Sequence, residues 1–123
     1  VLEATSPRIP CKTFSTWLNV SGWIKTFTAA ALPGAYFRVI EPGTLRAGDR
    51  IEVIDRPDHS VTIGTVFRAL MLEPDLLPTL AVADALPEKI KAQVARRRAR
   101  RLPDAAETLD RGRGVRADLD KEG

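Results

Sequence analysis

The chain has 123 residues, enough for one hydrophobic core or for parts of two small ones. Its 44% apolar content is ordinary for a soluble globular protein, and no apolar run approaches the roughly 20 residues that span a bilayer. One cysteine excludes an intrachain disulfide and fits a reducing, cytoplasmic setting, and one His beside one Cys excludes a zinc cage built from those residues.

Val1–Thr5 reads as a short strand and residues 6–15 as a loop. Asn19–Leu32 has helical apolar spacing through Val20, Trp23, Ile24, Phe27 and Ala31, with Pro33-Gly34 as its stop. Ala35–Glu41 switches to period two, with Phe37 and Val39 on one face and Tyr36, Arg38 and Ile40 on the other. Residues 50–56 repeat that pattern through Ile51 and Val53. The turn-rich stretch between them, 42–49, predicts a hairpin-like pair with a long loop. Two strands alone are marginal in water, so partner strands are expected.

From residue 57 the pattern is helical. Ser60 is placed to cap a helix to about Leu72, with Ile63, Val66, Phe67, Leu70 and Met71 as its buried stripe. Asp75 is placed to cap a short second helix bearing Leu76, Leu77 and Leu80, with Pro78 in its first turn. Asp84 is placed to cap a third helix through Leu86, Ile90 and Val94 into an arginine run. Residues 103–123 alternate acids, bases, Gly and Ala and predict a disordered tail.

The net charge of +3 is unevenly spread. Residues 91–123 hold ten basic and six acidic groups, whereas 55–90 hold three and six. Most of the excess lies in Lys91, Arg96, Arg97, Arg98, Arg100 and Arg101. One reading is solvated charge that complements a helix C-terminus. The other is a non-catalytic binding module, in which the basic three-helix segment contacts nucleic acid or a protein partner. Absence of base-reading side chains and the short, proline-bearing second helix favour the first reading.

Cys11 is the strongest candidate for chemistry. It lies in Pro7-Arg-Ile-Pro-Cys-Lys12, where two prolines hold the chain extended and Arg8 and Lys12 bring positive charge. Cations favour the thiolate, which is both the nucleophile and the soft metal ligand. Against that stands the commoner fate of a free cysteine, a small buried hydrophobe. Arg8, Lys12 and Arg38 are candidate anion contacts. A buried charge at Arg38, in mid-strand, would call for a partner. Trp17, Trp23 and Tyr36 are candidates to line a pocket, although core packing is their more usual role. His59 reads as a loop residue beside Ser60 rather than a general acid.

Three stretches in order carry a resemblance: the strand with Pro-Arg-Ile-Pro-Cys-Lys at 7–12, Gly34 through Asp49 with the strand after it, and the helical region from His59 to Arg101. Together they resemble the C-terminal part of a bacterial MOSC-domain protein, closest to the YiiM-like branch with its small three-helix "3-alpha" domain. The resemblance implies an α+β chain. Residues 1–56 would be the C-terminal portion of a mostly antiparallel β-barrel, and 57–102 the three-helix domain. It implies a molybdenum cofactor (molybdopterin) with Cys11 as metal ligand, and Arg8, Lys12 and Arg38 as cofactor contacts. It further implies an oxidoreductase that reduces N-hydroxylated small molecules with an electron-donor partner. Under the same resemblance this sequence is a piece of a longer protein whose N-terminal MOSC strands lie outside it, and about three strands are too few to close a barrel.

Overall fold

The computed structural model describes residues 1–101, so the tail expected at 103–123 lies outside the described residues. In chain order the elements are β1 (Leu2–Pro7), α1 (Lys12–Leu18), α2 (Trp23–Ala30), β2 (Ala35–Val39), α3 (Ile63–Met71), a 3₁₀ segment (Pro74–Val82) and α4 (Glu88–Arg101). The mixed α+β class is as expected. Of the roughly three strands expected from the barrel portion, two pair: among the described residues there is one two-stranded sheet and no closed barrel.

β1 and β2 pair antiparallel, with Leu2 opposite Val39, Glu3 opposite Arg38 and Pro7 opposite Ala35. A bulge between Ala4 and Ser6 leaves Thr5 as the extra residue, and its hydroxyl donates to the Tyr36 carbonyl (3.2 Å). At the open end the N-terminal amine donates to the Glu41 carbonyl (2.8 Å).

The hairpin expected between 35–41 and 50–56 does not form: β2 takes β1 as its partner, and residues 50–56 form no strand. A turn closed by Arg46 and Asp49 precedes them. Burial explains the difference, because ladder hydrogen bonds contribute little net stability unless a face is covered. Among the described residues no layer covers this side of β2, and Ile51 is 91% exposed.

The single helix expected over Asn19–Leu32 is also corrected. Asn19 (φ 51°) and Gly22 (φ 71°) adopt left-handed backbone, which ends α1 and delays α2 to Trp23. Ala31, also left-handed (φ 50°), ends α2. A side chain there strains the backbone, whereas Gly does not, at some cost in unfolded-state entropy. Ala31→Gly is therefore expected to raise stability by about 0.5–1 kcal/mol, read as a higher urea midpoint. An unchanged or lower midpoint would contradict the strain.

The core lies in the C-terminal half. Val66, Ala69 and Leu70 of α3 pack with Leu77, Leu80, Ala83, Leu86 and Val94. Thr62, rather than Ser60, caps α3, its hydroxyl accepting from the Thr65 N–H (3.1 Å). Arg68 grips Glu73 through two bonds of 2.8 and 2.7 Å at the helix end, and the hydrogen bond holds the Glu73 carboxyl below its ordinary pKa. Glu73 thus favours the folded chain above the usual carboxylate range, and that effect fades as pH falls through its lowered pKa.

The second helix is 3₁₀ rather than α because of its prolines. Pro78 has no N–H to give the carbonyl four residues back, and its ring would clash there. The tighter winding eclipses residues three apart, which brings Leu77 and Leu80 together on the buried side. Pro87 moves the third helix start from Asp84 to Glu88, since the residue before a proline is driven out of helical backbone.

An aromatic stack ties the two halves. Phe14, Trp23 and Phe27 meet with centroids 6.0–6.3 Å apart, and Phe27 meets the fully buried Phe67 edge-on at 6.1 Å. α3 also packs against β1, whose Thr5, Ser6 and Pro7 are buried. No helix among the described residues is long and apolar enough to cross a membrane.

Candidate functional site

β1 delivers the chain to the site. Past Pro7, the Arg8 N–H donates to the Gly34 carbonyl (2.8 Å), holding the exit strand against the start of β2. Ile9 then packs on the core, and the chain turns outward at Pro10. Cys11 follows with extended backbone (φ −123°, ψ 162°) and forms the N-cap of α1. Its Sγ accepts the Phe14 N–H at 3.4 Å. The expected loop over 6–15 thus ends at Cys11, and the thiol sits at a helix start instead of mid-loop.

The thiol is exposed, so the buried-hydrophobe reading of Cys11 does not hold. The Arg8 guanidinium lies over the Phe14 ring, 5.1 Å from its centroid. That contact fixes a cation beside the residue whose N–H caps onto the sulfur. Lys12, the first residue of α1, is also exposed. Cys11, Arg8 and Lys12 are therefore grouped on one short, proline-bounded segment.

Arg38 is not part of this group. It faces Glu3 across the sheet and pairs with its carboxylate at 3.2 Å. The register puts it about 13 Å along β1 from Pro7, four residues of strand rise. Its other nitrogen approaches the Ala85 carbonyl at 3.5 Å. The partner that a mid-strand arginine calls for is thus supplied by the chain itself.

The aromatic candidates divide. Trp17 is 80% exposed and Tyr36 is more than half exposed, so neither lines a closed pocket. Trp23 belongs to the aromatic stack, with its indole N–H sealed from solvent and lacking an acceptor among the described residues. His59 accepts the Val61 N–H through Nδ1 (3.2 Å), a local turn contact.

Among the described residues no cluster of three or more His, Cys, Asp or Glu side chains could hold a metal ion alone. The donor set is one soft cysteine sulfur with two cations as near neighbours along the chain. It suits a soft metal that arrives with most of its ligands in an anionic organic cofactor, and does not suit a metal caged by protein alone.

The family model of the MOSC domain matches residues 1–52, the stretch that holds β1, Cys11, α1, α2 and β2. MOSC domains are associated with reductases that bind the molybdenum cofactor. Searches of the curated proteins and of the solved structures found no match.

Proposed function

We propose that this chain carries the C-terminal portion of a YiiM-like MOSC barrel over about 1–56, followed by its 3-alpha domain over 57–102. The whole protein is then a cytoplasmic molybdenum-cofactor oxidoreductase that reduces N–O bonds of small N-hydroxylated substrates. Its electrons come from a donor protein or domain. The observation that carries this reading is an exposed cysteine, flanked by Arg8 and Lys12, inside the stretch that the MOSC family model matches.

When bound, the cofactor supplies the redox chemistry, while the protein positions and tunes it. Cys11 is the residue that holds the metal. The N–H of Phe14 orients its sulfur, and the chain around it is stiffened by Pro7 and Pro10. Arg8 and Lys12 are placed to take the phosphate of the pterin, because guanidinium and ammonium groups pair well with such oxyanions. Arg38 joins them only by leaving Glu3, so its part is the smallest of the three.

Two strands cannot enclose a cofactor, so this chain by itself is expected to hold it weakly. The test is the molybdenum and pterin content of the 123-residue chain after expression with added molybdate. Well under one molybdenum per chain, above a mock-purified background, is the expected result. A full equivalent would show that the rest of the barrel is not needed, and a value at background would count against the cofactor assignment.

A further inference from the structure

The arginine run in α4 divides into two populations. Ile90, Val94, Arg97 and Arg101 recur at helical spacing and face the rest of the fold. Ile90 and Val94 pack into the core. Arg97 donates to the Leu70 carbonyl (2.6 Å), and Arg101 pairs with Asp75 (2.6 Å). These two arginines are committed to holding α4 in place.

The remaining cations are not. Lys89, Arg96 and Arg100 fall within a narrow arc of the helical wheel, to one side of the packed face. All three are exposed, and none has a carboxylate partner within 4.0 Å among the described residues. Arg98 stands exposed on the opposite flank, also without one. Three acids around α4 are already engaged, Glu73 by Arg68, Asp75 by Arg101 and Glu88 by Lys91, whereas Asp84 has no cation within 4.0 Å among the described residues.

We propose that the Lys89–Arg96–Arg100 stripe of α4 binds the phosphate backbone of nucleic acid without reading sequence. The stripe runs about 16 Å along the helix, over which a duplex presents roughly nine phosphate charges. Its neighbours Ala92, Gln93 and Ala99 give no large apolar anchor. Protein interfaces draw most of their affinity from buried aromatic or long side chains, so an acidic protein surface is a poorer match. A membrane surface is poorer still, since an interfacial helix needs a free apolar face and that of α4 is turned into the core. Phosphate contact needs only accessible cations and carries no sequence information. The surface lies outside the residues matched as MOSC, and the proposal is independent of the cofactor reading.

The test is fluorescence anisotropy of the full chain with a labelled 20-base-pair duplex at increasing salt. Measurable binding at low salt is expected, and log K should fall against log salt with a slope of about −3 for three to four neutralised phosphates. The triple variant Lys89→Gln/Arg96→Gln/Arg100→Gln should bind at least tenfold more weakly and with a flatter slope, while keeping the wild-type circular dichroism. Lys25→Gln, an exposed control on α2, should bind like wild type. No binding at low salt would overturn the proposal, as would a folded triple variant that binds equally well. Stripe-dependent binding to phosphatidylserine vesicles without binding to the duplex would transfer the surface to membranes and reject it.

Discussion

Phe67→Ala is expected to abolish the cooperative unfolding transition or lower its midpoint sharply, with a loss of about 3–5 kcal/mol. Phe67 is completely buried, and truncating a buried phenylalanine removes its transfer free energy and leaves a cavity. It also breaks the edge-on contact with Phe27, of a kind that contributes about 0.5–1.5 kcal/mol beyond area burial. Small domains have about 5–15 kcal/mol in total, so the loss is a large fraction. The effect should spread. Phe27 touches Trp23 and Phe14, so Trp23 fluorescence should shift toward that of solvent-exposed indole. Phe67→Leu should retain more of the stability, because it keeps the site filled with an apolar side chain. Urea unfolding followed by circular dichroism and tryptophan emission measures both effects. A Phe67→Ala midpoint equal to wild type would mean that the aromatic stack does not join α2 to α3.

Complete loss of bound molybdenum is the expected result for Cys11→Ser and Cys11→Ala alike, and the two variants should then part in stability. The sulfur has two separable roles. As the only cysteine it offers the only thiol sulfur to a soft metal, and neither Ser nor Ala replaces it. As an N-cap it accepts the Phe14 N–H at 3.4 Å, and serine oxygen is among the best acceptors for that position. Cys11→Ser should therefore keep or slightly raise stability. Cys11→Ala should lose about 0.5–1 kcal/mol, the lower range for a missing cap. Elemental analysis reads the first role and urea midpoints read the second. Metal retained at wild-type level in both variants would remove Cys11 from the site. Equal midpoints for Ser and Ala would remove the cap.

The parts of the fold that were legible in the sequence are those whose signals are local. Val66, Phe67 and Leu70 lie on the expected stripe of α3, and Leu77 and Leu80 lie on a second helical segment as expected, where they are buried. Both strands of the sheet were recognised, yet their pairing was not, because period-two alternation says that a segment is a strand and not which strand lies beside it. α1 was missed for a related reason. Phe14, Trp17 and Leu18 do have helical spacing, but the cap before them is a cysteine, which is not among the usual cap residues. The Asn19 break was hidden because an asparagine that starts a helix and one that ends it look alike in sequence. At the site, Cys11, Arg8 and Lys12 were legible because they are neighbours along the chain. The Glu3 partner of Arg38 was not, since it depends on a register set 35 residues away.

The uncovered side of β2 bears on solubility. Val39, Ile40, Ile51, Val53 and Ile54 are exposed, and a free strand edge beside β-branched residues is the usual template for intermolecular stacking. Within residues 50–56 each apolar residue or pair is bounded by charge: Arg50, Glu52, Asp55 and Arg56. These four side chains act as gatekeepers, placing charges where a second chain would have to dock. Their formal charges cancel, so the protection comes from where the charges stand along the segment and not from any net repulsion.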